Sequence, residues 1–124
     1  MTDKIVLVVD DNATNLKLVR FILKRVACVV REATDATSAL AVVAEAPPSL
    51  ILMDVQLPGM DGLTLTKLIK SKAETRGVPI IAVTAAAMRG DEQRALDAGC
   101  DAYVTKPIDT NLLVRLVEQF MQAS

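Results

Sequence analysis

Leu50-Ile51-Leu52-Met53-Asp54, followed after Val55 by Gln56-Leu57-Pro58-Gly59-Met60-Asp61-Gly62, is the stretch that decides the fold. The apolar run is too short for a helix and ends on a carboxylate delivered into a turn-rich loop. A parallel sheet presents reactive groups in this way, at the carboxyl edge of strands covered on both faces. Three other apolar runs behave alike: Ile5 to Val9 ends in Asp10-Asp11, Ile80 to Val83 ends in Thr84, and Ala102 to Thr105 ends in Lys106-Pro107. As parallel neighbours, these strands bring three carboxylates, a hydroxyl and an ammonium to one site.

Between the runs lie segments of helical period, and that alternation is the signature of repeated βα units. The first helix is expected from about Asn15 to Val26, with Leu16, Val19, Ile22, Leu23 and Val26 inward and Lys17, Arg20, Lys24 and Arg25 outward. A second strand, roughly Cys28 to Arg31, leads through Thr34-Asp35 as N-cap to a helix that stops before Pro47-Pro48, with Ala39, Leu40, Val43 and Ala44 inward. The third helix, about Leu63 to Lys72, turns Leu65, Leu68 and Ile69 to the core. The fourth starts weakly at Met88-Arg89-Gly90-Asp91, offers Ala95 and Leu96, and ends at Gly99. The last begins at Asp109 and packs Leu112, Leu113, Leu116, Val117 and Phe120. Five strands and five helices with right-handed crossovers predict one α/β domain: a doubly wound parallel sheet of order 2-1-3-4-5 with helices on both faces.

Composition narrows the function. A chain of 124 residues that is 52% hydrophobic builds one core, and it has no apolar stretch of the roughly 18 residues that mark a membrane span. No signal-peptide core follows Met1, so a cytoplasmic protein without membrane insertion is expected. A net charge of -1 gives no field for nucleic acid, and 2% aromatic residues give no stacking platform. Cys28 and Cys100 lack CxxC spacing and fit free thiols. The absence of histidine excludes a Ser-His-Asp triad, histidine-ligated zinc and a phosphohistidine on this chain. No linker or second periodic block follows Gln122, so residues 1–124 are expected to form a single domain with no effector domain.

Three crowded carboxylates raise one another's pKa unless a cation is present, and a set of oxygen donors suits Mg2+. Asp54 is then the candidate nucleophile, since aspartyl-phosphate formation is a known use of an activated carboxylate. Lys106 can pair with a phosphoryl oxygen or hold the resting carboxylate, and the Thr84 hydroxyl can bond another oxygen. Taken singly, each residue has a plainer explanation: paired aspartates cap helices, threonines build strands, and a lysine before proline is often a solvated loop residue. Their joint placement at four strand ends carries the inference.

Val8-Val9-Asp10-Asp11-Asn12, the stretch from Leu50 to Gly62, Ile80-Ile81-Ala82-Val83-Thr84-Ala85 and Asp101-Ala102-Tyr103-Val104-Thr105-Lys106-Pro107 together resemble response regulator receiver domains, in order across nearly the whole chain. The stretches around Met88, Gly99 and Lys106 are similar to stand-alone receivers of the DivK type and to receivers of hybrid kinases. The resemblance implies that Asp54 accepts a phosphoryl group from the histidine of a sensor kinase or a histidine phosphotransfer protein. It implies Mg2+ held by Asp11, Asp54 and the Gln56 backbone carbonyl, with Asp10 acting through a metal-bound water. It assigns Thr84 and Lys106 to the phosphate, Tyr103 to an aromatic switch coupled to Thr84, and a cis bond to Lys106-Pro107.

Output is then a change in what the surface binds, with residues 85–90 and Tyr103 as the bistable element and Gln56 and Ala86 tuning acyl-phosphate lifetime. The expected output partner, an unidentified protein, docks on the fourth helix, fifth strand and fifth helix of a monomer or weak dimer. The basic face Lys17, Arg20, Lys24, Arg25 either meets an acidic donor surface or is simply solvated. On this reading the protein is no enzyme beyond its own phosphorylation and dephosphorylation. The alternative is a Mg2+-dependent small-molecule phosphohydrolase using Asp54. Against it stand the lack of a cap segment and of a spare acid in Val55-Gln56-Leu57.

Overall fold

The computed structural model describes residues 4–84 and 91–122, apart from the side chains of Asp91 and Gln122. Its elements alternate as β1 (Ile5–Val9), α1 (Ala13–Leu23), β2 (Val29–Ala33), α2 (Ala36–Glu45), β3 (Leu50–Asp54), α3 (Gly62–Lys70), β4 (Ile80–Thr84), α4 (Asp91–Ala98), β5 (Ala102–Thr105) and α5 (Thr110–Gln122). All strand pairs are parallel, in the order β2-β1-β3-β4-β5. The predicted architecture is the observed one.

Strand alternation divides the core between the two faces of the sheet. Leu7, Ile51, Met53 and Ile80 pack with Ala39, Val43, Leu65, Ile69 and Ala95 on the side of α2, α3 and α4. Val6, Val8, Leu50, Leu52 and Ile81 pack with Leu16, Ile22, Leu113 and Val117 on the side of α1 and α5. Every residue of β3 and β4 is buried, so these strands read as unbroken apolar runs rather than alternating ones.

Element ends depart from the sequence reading for local reasons. Helix α1 starts at Ala13 because Asn12 caps it, accepting the Asn15 N–H at 3.0 Å. It stops at Leu23, where Lys24, Arg25 and Val26 tighten into a turn by donating to the carbonyls of Phe21, Ile22 and Leu23. Strand β2 starts one residue after and ends two residues beyond the expected Cys28–Arg31, since its ladder with β1 runs on to Ala33 opposite Val9. The Asp10 N–H extends it, donating to Ala33 O at 3.0 Å. Helix α3 begins at Gly62 and ends at Lys70, with Asp61 as cap. The predicted caps Asp35, which forms a reciprocal box with Ser38, and Asp109, which accepts from the Leu112 N–H, are present.

Four residues expected inward face out: Ala44 is exposed, and Leu68, Leu96 and Leu112 are 38%, 42% and 38% exposed. On the same two helices, Ala98 of α4 and Met121 of α5 are buried in the core. Helix α4 ends in a Schellman motif. Cys100 N–H donates to Ala95 O and Gly99 N–H to Leu96 O, each at 3.0 Å, with Gly99 at φ +111°. A Cβ at Gly99 would also stand 3.0 Å from Lys70 Cγ. Gly99→Ala is therefore expected to cost about 1–2 kcal/mol in chemical denaturation, with no change below ~0.5 kcal/mol compatible with that geometry.

Candidate functional site

The carboxyl ends of β1, β3, β4 and β5 meet at one edge of the sheet. Asp10 and Asp54 are each only 5% exposed, Asp11 is exposed, and one carboxylate oxygen from each lies within 4.8 Å of the others. The backbone orients two of these groups. Asn12 N–H donates to Asp10 Oδ1 at 2.9 Å, and Gln56 N–H donates to Asp54 Oδ1 at 3.0 Å. Lys106 Nζ stands 3.7 Å from Asp10 Oδ2 and 3.6 Å from Asp54 Oδ2. These are ion-pair distances, longer than tight charge-assisted hydrogen bonds.

Burial pushes the Asp54 carboxyl up from 3.8 to about 6, and the neighbouring Asp10 adds to the rise. The Gln56 N–H and the Lys106 ammonium oppose it without cancelling it. The Lys106 ammonium thus pairs with the two buried carboxylates of a three-carboxylate, purely oxygen donor set. These residues fit a hard divalent cation, because such an ion relieves the repulsion that Lys106 leaves.

Thr84 is 9% exposed at the last position of β4, and its carbonyl accepts the Lys106 N–H at 2.7 Å, which ties the ends of β4 and β5 together. Lys106-Pro107 is a cis peptide bond, as the resemblance implied. Gln56 is exposed, and its N–H is the group seen on Asp54. Tyr103 stands apart from the acidic cluster. Its ring packs partly against the α2/α3/α4 side of the core and its hydroxyl donates to Glu92 Oε2 at 2.9 Å. That bond, above all, raises the phenol pKa. Ala86 and the loop expected to move, residues 85–90, lie outside the described residues.

Three contributors went unassigned in the sequence. Asn12 serves both the Asp10 carboxylate and the start of α1. Gly62 lies so close under β3 that a Cβ there would be 2.1 Å from the Asp54 carbonyl oxygen. Its own N–H donates to Val55 O at 2.8 Å, closing the loop that follows Asp54. Glu92 carries no sequence signal toward Tyr103, since only the packing of α4 on β5 brings the two together. Asp-Asp-Asn at a helix start was the one available hint of the three.

Known proteins complete the description. A family profile described as the response regulator receiver domain matches residues 6–118. The chain belongs to that family. Over 118 residues it is 40% identical to the polar-differentiation response regulator DivK of Brucella ovis, covering 95% of this chain and 96% of DivK. Among solved structures it is similar to the receiver domain of a sensor histidine kinase from Pseudomonas aeruginosa PAO1, described with a magnesium ion coordinated in the active site cleft. That match has 31% identity, a TM-score of 0.88, and covers 98% of this chain and 99% of the other. The chemotaxis response regulator CheY4 of Vibrio cholerae also has a TM-score of 0.88, at 25% identity over 96% of this chain and 99% of its own. This receiver is thus a DivK-like module of two-component signalling. Among the described residues, no helix is long and apolar enough to cross a membrane.

Proposed function

We propose that this receiver stores a signal as a phosphoryl group on Asp54, received from the phosphohistidine of a sensor kinase or phosphotransfer protein. Convergence carries the reading: three carboxylate oxygens within 4.8 Å, with Lys106 Nζ 3.6 Å from Asp54, at the carboxyl edge of a parallel sheet. Asp54 attacks phosphorus, an O–P bond forms, the P–N bond to the donor imidazole breaks, and its electron pair returns to that nitrogen. Since the chain has no histidine, the donor imidazole belongs to a partner.

Asp10, Asp11 and Asp54, with the Gln56 carbonyl, would hold Mg2+, the ion named for the Pseudomonas relative. When bound, it supplies Lewis-acid neutralisation of charge on the arriving phosphoryl oxygens. Lys106 leaves its resting pairing to meet one phosphoryl oxygen, and the Thr84 hydroxyl hydrogen-bonds another. The new anion draws Thr84 inward, and Tyr103 follows. The output partner then reads the changed surface of α4, β5 and α5. The match over 96% of DivK supports treating residues 6–118 as one signalling unit; on this reading it acts in the cytoplasm by binding other proteins.

On α1, the outward basic face is partly engaged: Arg20 pairs with Glu32 at 3.0 Å, Arg25 donates to Asn111, and Lys24 lies 6.0 Å from the Phe21 ring centre. A donor would meet Lys17 and a half-bare apolar flank there, with Phe21 65% exposed.

Incubation with a phosphorylated histidine donor or acetyl phosphate tests the proposal. Wild type is expected to take up one phosphoryl group with Mg2+ and essentially none in EDTA. Thr84→Ala is expected to take up phosphate as well, but to lose the change in Tyr103 emission that accompanies uptake in the wild type. Magnesium-independent uptake, or an unaltered emission change in Thr84→Ala, would contradict these assignments.

A further inference from the structure

The receiver's single tyrosine is held in place by a residue that none of its motifs contains. Tyr103 lies on β5 opposite Ala82, with its ring half-buried and its hydroxyl donating to Glu92 Oε2 at 2.9 Å. Glu92 belongs to the first turn of α4 and is otherwise exposed. The bond links a strand that carries a site residue at its end to the helix beside it. For the ring to swing toward Thr84, this bond must break, because the carboxylate is fixed to α4 outside the sheet edge. A bond to an ionised acceptor resists that more than one to a neutral acceptor would.

We propose that Glu92 is a positioning residue that holds Tyr103 outward in the unphosphorylated protein and thereby sets how readily the switch is thrown. The inference rests on the reading of Tyr103 as the switch. Phosphorylation and ring movement are linked, so each favours the other by the same factor. Weakening the outward state raises the fraction of molecules ready to accept phosphate. The raised phenol pKa agrees with the same contact, its first cause being the bond to Glu92. A second consequence lies on the surface. When the ring leaves, the Glu92 carboxylate is left without its hydroxyl, so the α4/β5 face gains an exposed acceptor as well as losing an aromatic edge.

Two readouts test this on the intact chain. The first is Tyr103 emission without phosphate, clean because the chain has one tyrosine and no tryptophan. A phenol hydrogen-bonded to a carboxylate emits weakly, so Glu92→Ala is expected to brighten it and Glu92→Gln, which keeps an acceptor oxygen but loses the charge, to fall between that variant and wild type. The second is the rate of Asp54 phosphorylation by acetyl phosphate with Mg2+, expected to rise about two- to fivefold in Glu92→Ala, the modest factor that loss of one solvent-exposed bond allows. In a Tyr103→Phe background, Glu92→Ala is expected to change the rate no further. Unaltered emission, an unaltered rate, or an equal rate increase in the Tyr103→Phe background would overturn the proposal. Absence of any adduct in the wild type would instead overturn Asp54 as acceptor, with the emission measurement still deciding whether Glu92 holds the ring.

Discussion

Asp54→Asn is expected to stabilise the metal-free protein at pH 7.5 by about 1–2 kcal/mol, while removing its capacity to accept a phosphoryl group. The stabilisation follows from the Asp54 carboxyl being pushed up to about 6 by burial in the folded chain, against 3.8 unperturbed. The full difference would amount to about 3 kcal/mol, and water at the open sheet edge reduces it. The sign is fixed by linkage: the folded state favours the protonated carboxyl, so its contribution is complete below about pH 4 and is lost as pH rises through 6. Above that, the wild type carries a buried anion that Lys106 and the Gln56 N–H compensate only in part, and asparagine replaces it at equal size.

The stability gap between variant and wild type should therefore open between pH 4 and pH 7 and close again below it. Added magnesium should stabilise the wild type more than the variant, by mass action on the acidic cluster. Urea denaturation in EDTA at several pH values checks both. A variant less stable than wild type at pH 7.5, or a gap independent of pH, would contradict the electrostatic account.

Gly62→Ala is expected to cost about 3 kcal/mol, since overpacking against rigid surroundings reaches that range. The added methyl would sit 2.1 Å from the Asp54 carbonyl oxygen and 3.0 Å from the Asp54 carbonyl carbon and Val55 Cα, all of them backbone atoms that cannot rotate away. The start of α3 and the end of β3 must separate, breaking the Gly62 N–H bond to Val55 O and moving the loop that carries the Gln56 N–H onto Asp54. Reduced magnesium affinity should accompany the lost stability, measured by titration well below the variant's melting temperature. A loss under about 1 kcal/mol would mean that the approach is looser than described.

The fold and the acidic cluster were legible because the signal for each strand, and for the group at its end, is local in sequence, and the strand order then brings those ends together. Four strands announce themselves as apolar runs, β3 and β4 covered on both faces, and the chemical groups stand at their ends. Strand β2 was harder to place, since Val29 and Glu32 are exposed and Ala33 alone is buried, which leaves no apolar run to bound it. Leu68, Leu96 and Leu112 show a second limit. An apolar residue beside a helix stripe can face the core or solvent, and the choice depends on how the helix is rotated on the sheet, which on α4 buries Ala95 and Ala98 and leaves Leu96 42% exposed. The least legible features, Gly62 under Asp54 and Glu92 on Tyr103, depend on how a helix lands on a strand. Neither pairing leaves a periodicity to read.

The most direct measurement is to locate the modified residue. After reaction with acetyl phosphate and magnesium, borohydride reduction converts an aspartyl phosphate to homoserine, and peptide mass spectrometry finds its position. Homoserine at residue 54, absent from Asp54→Asn and from samples in EDTA, is the predicted result. A phosphoryl group on any other residue, or one that persists in Asp54→Asn, would contradict the account.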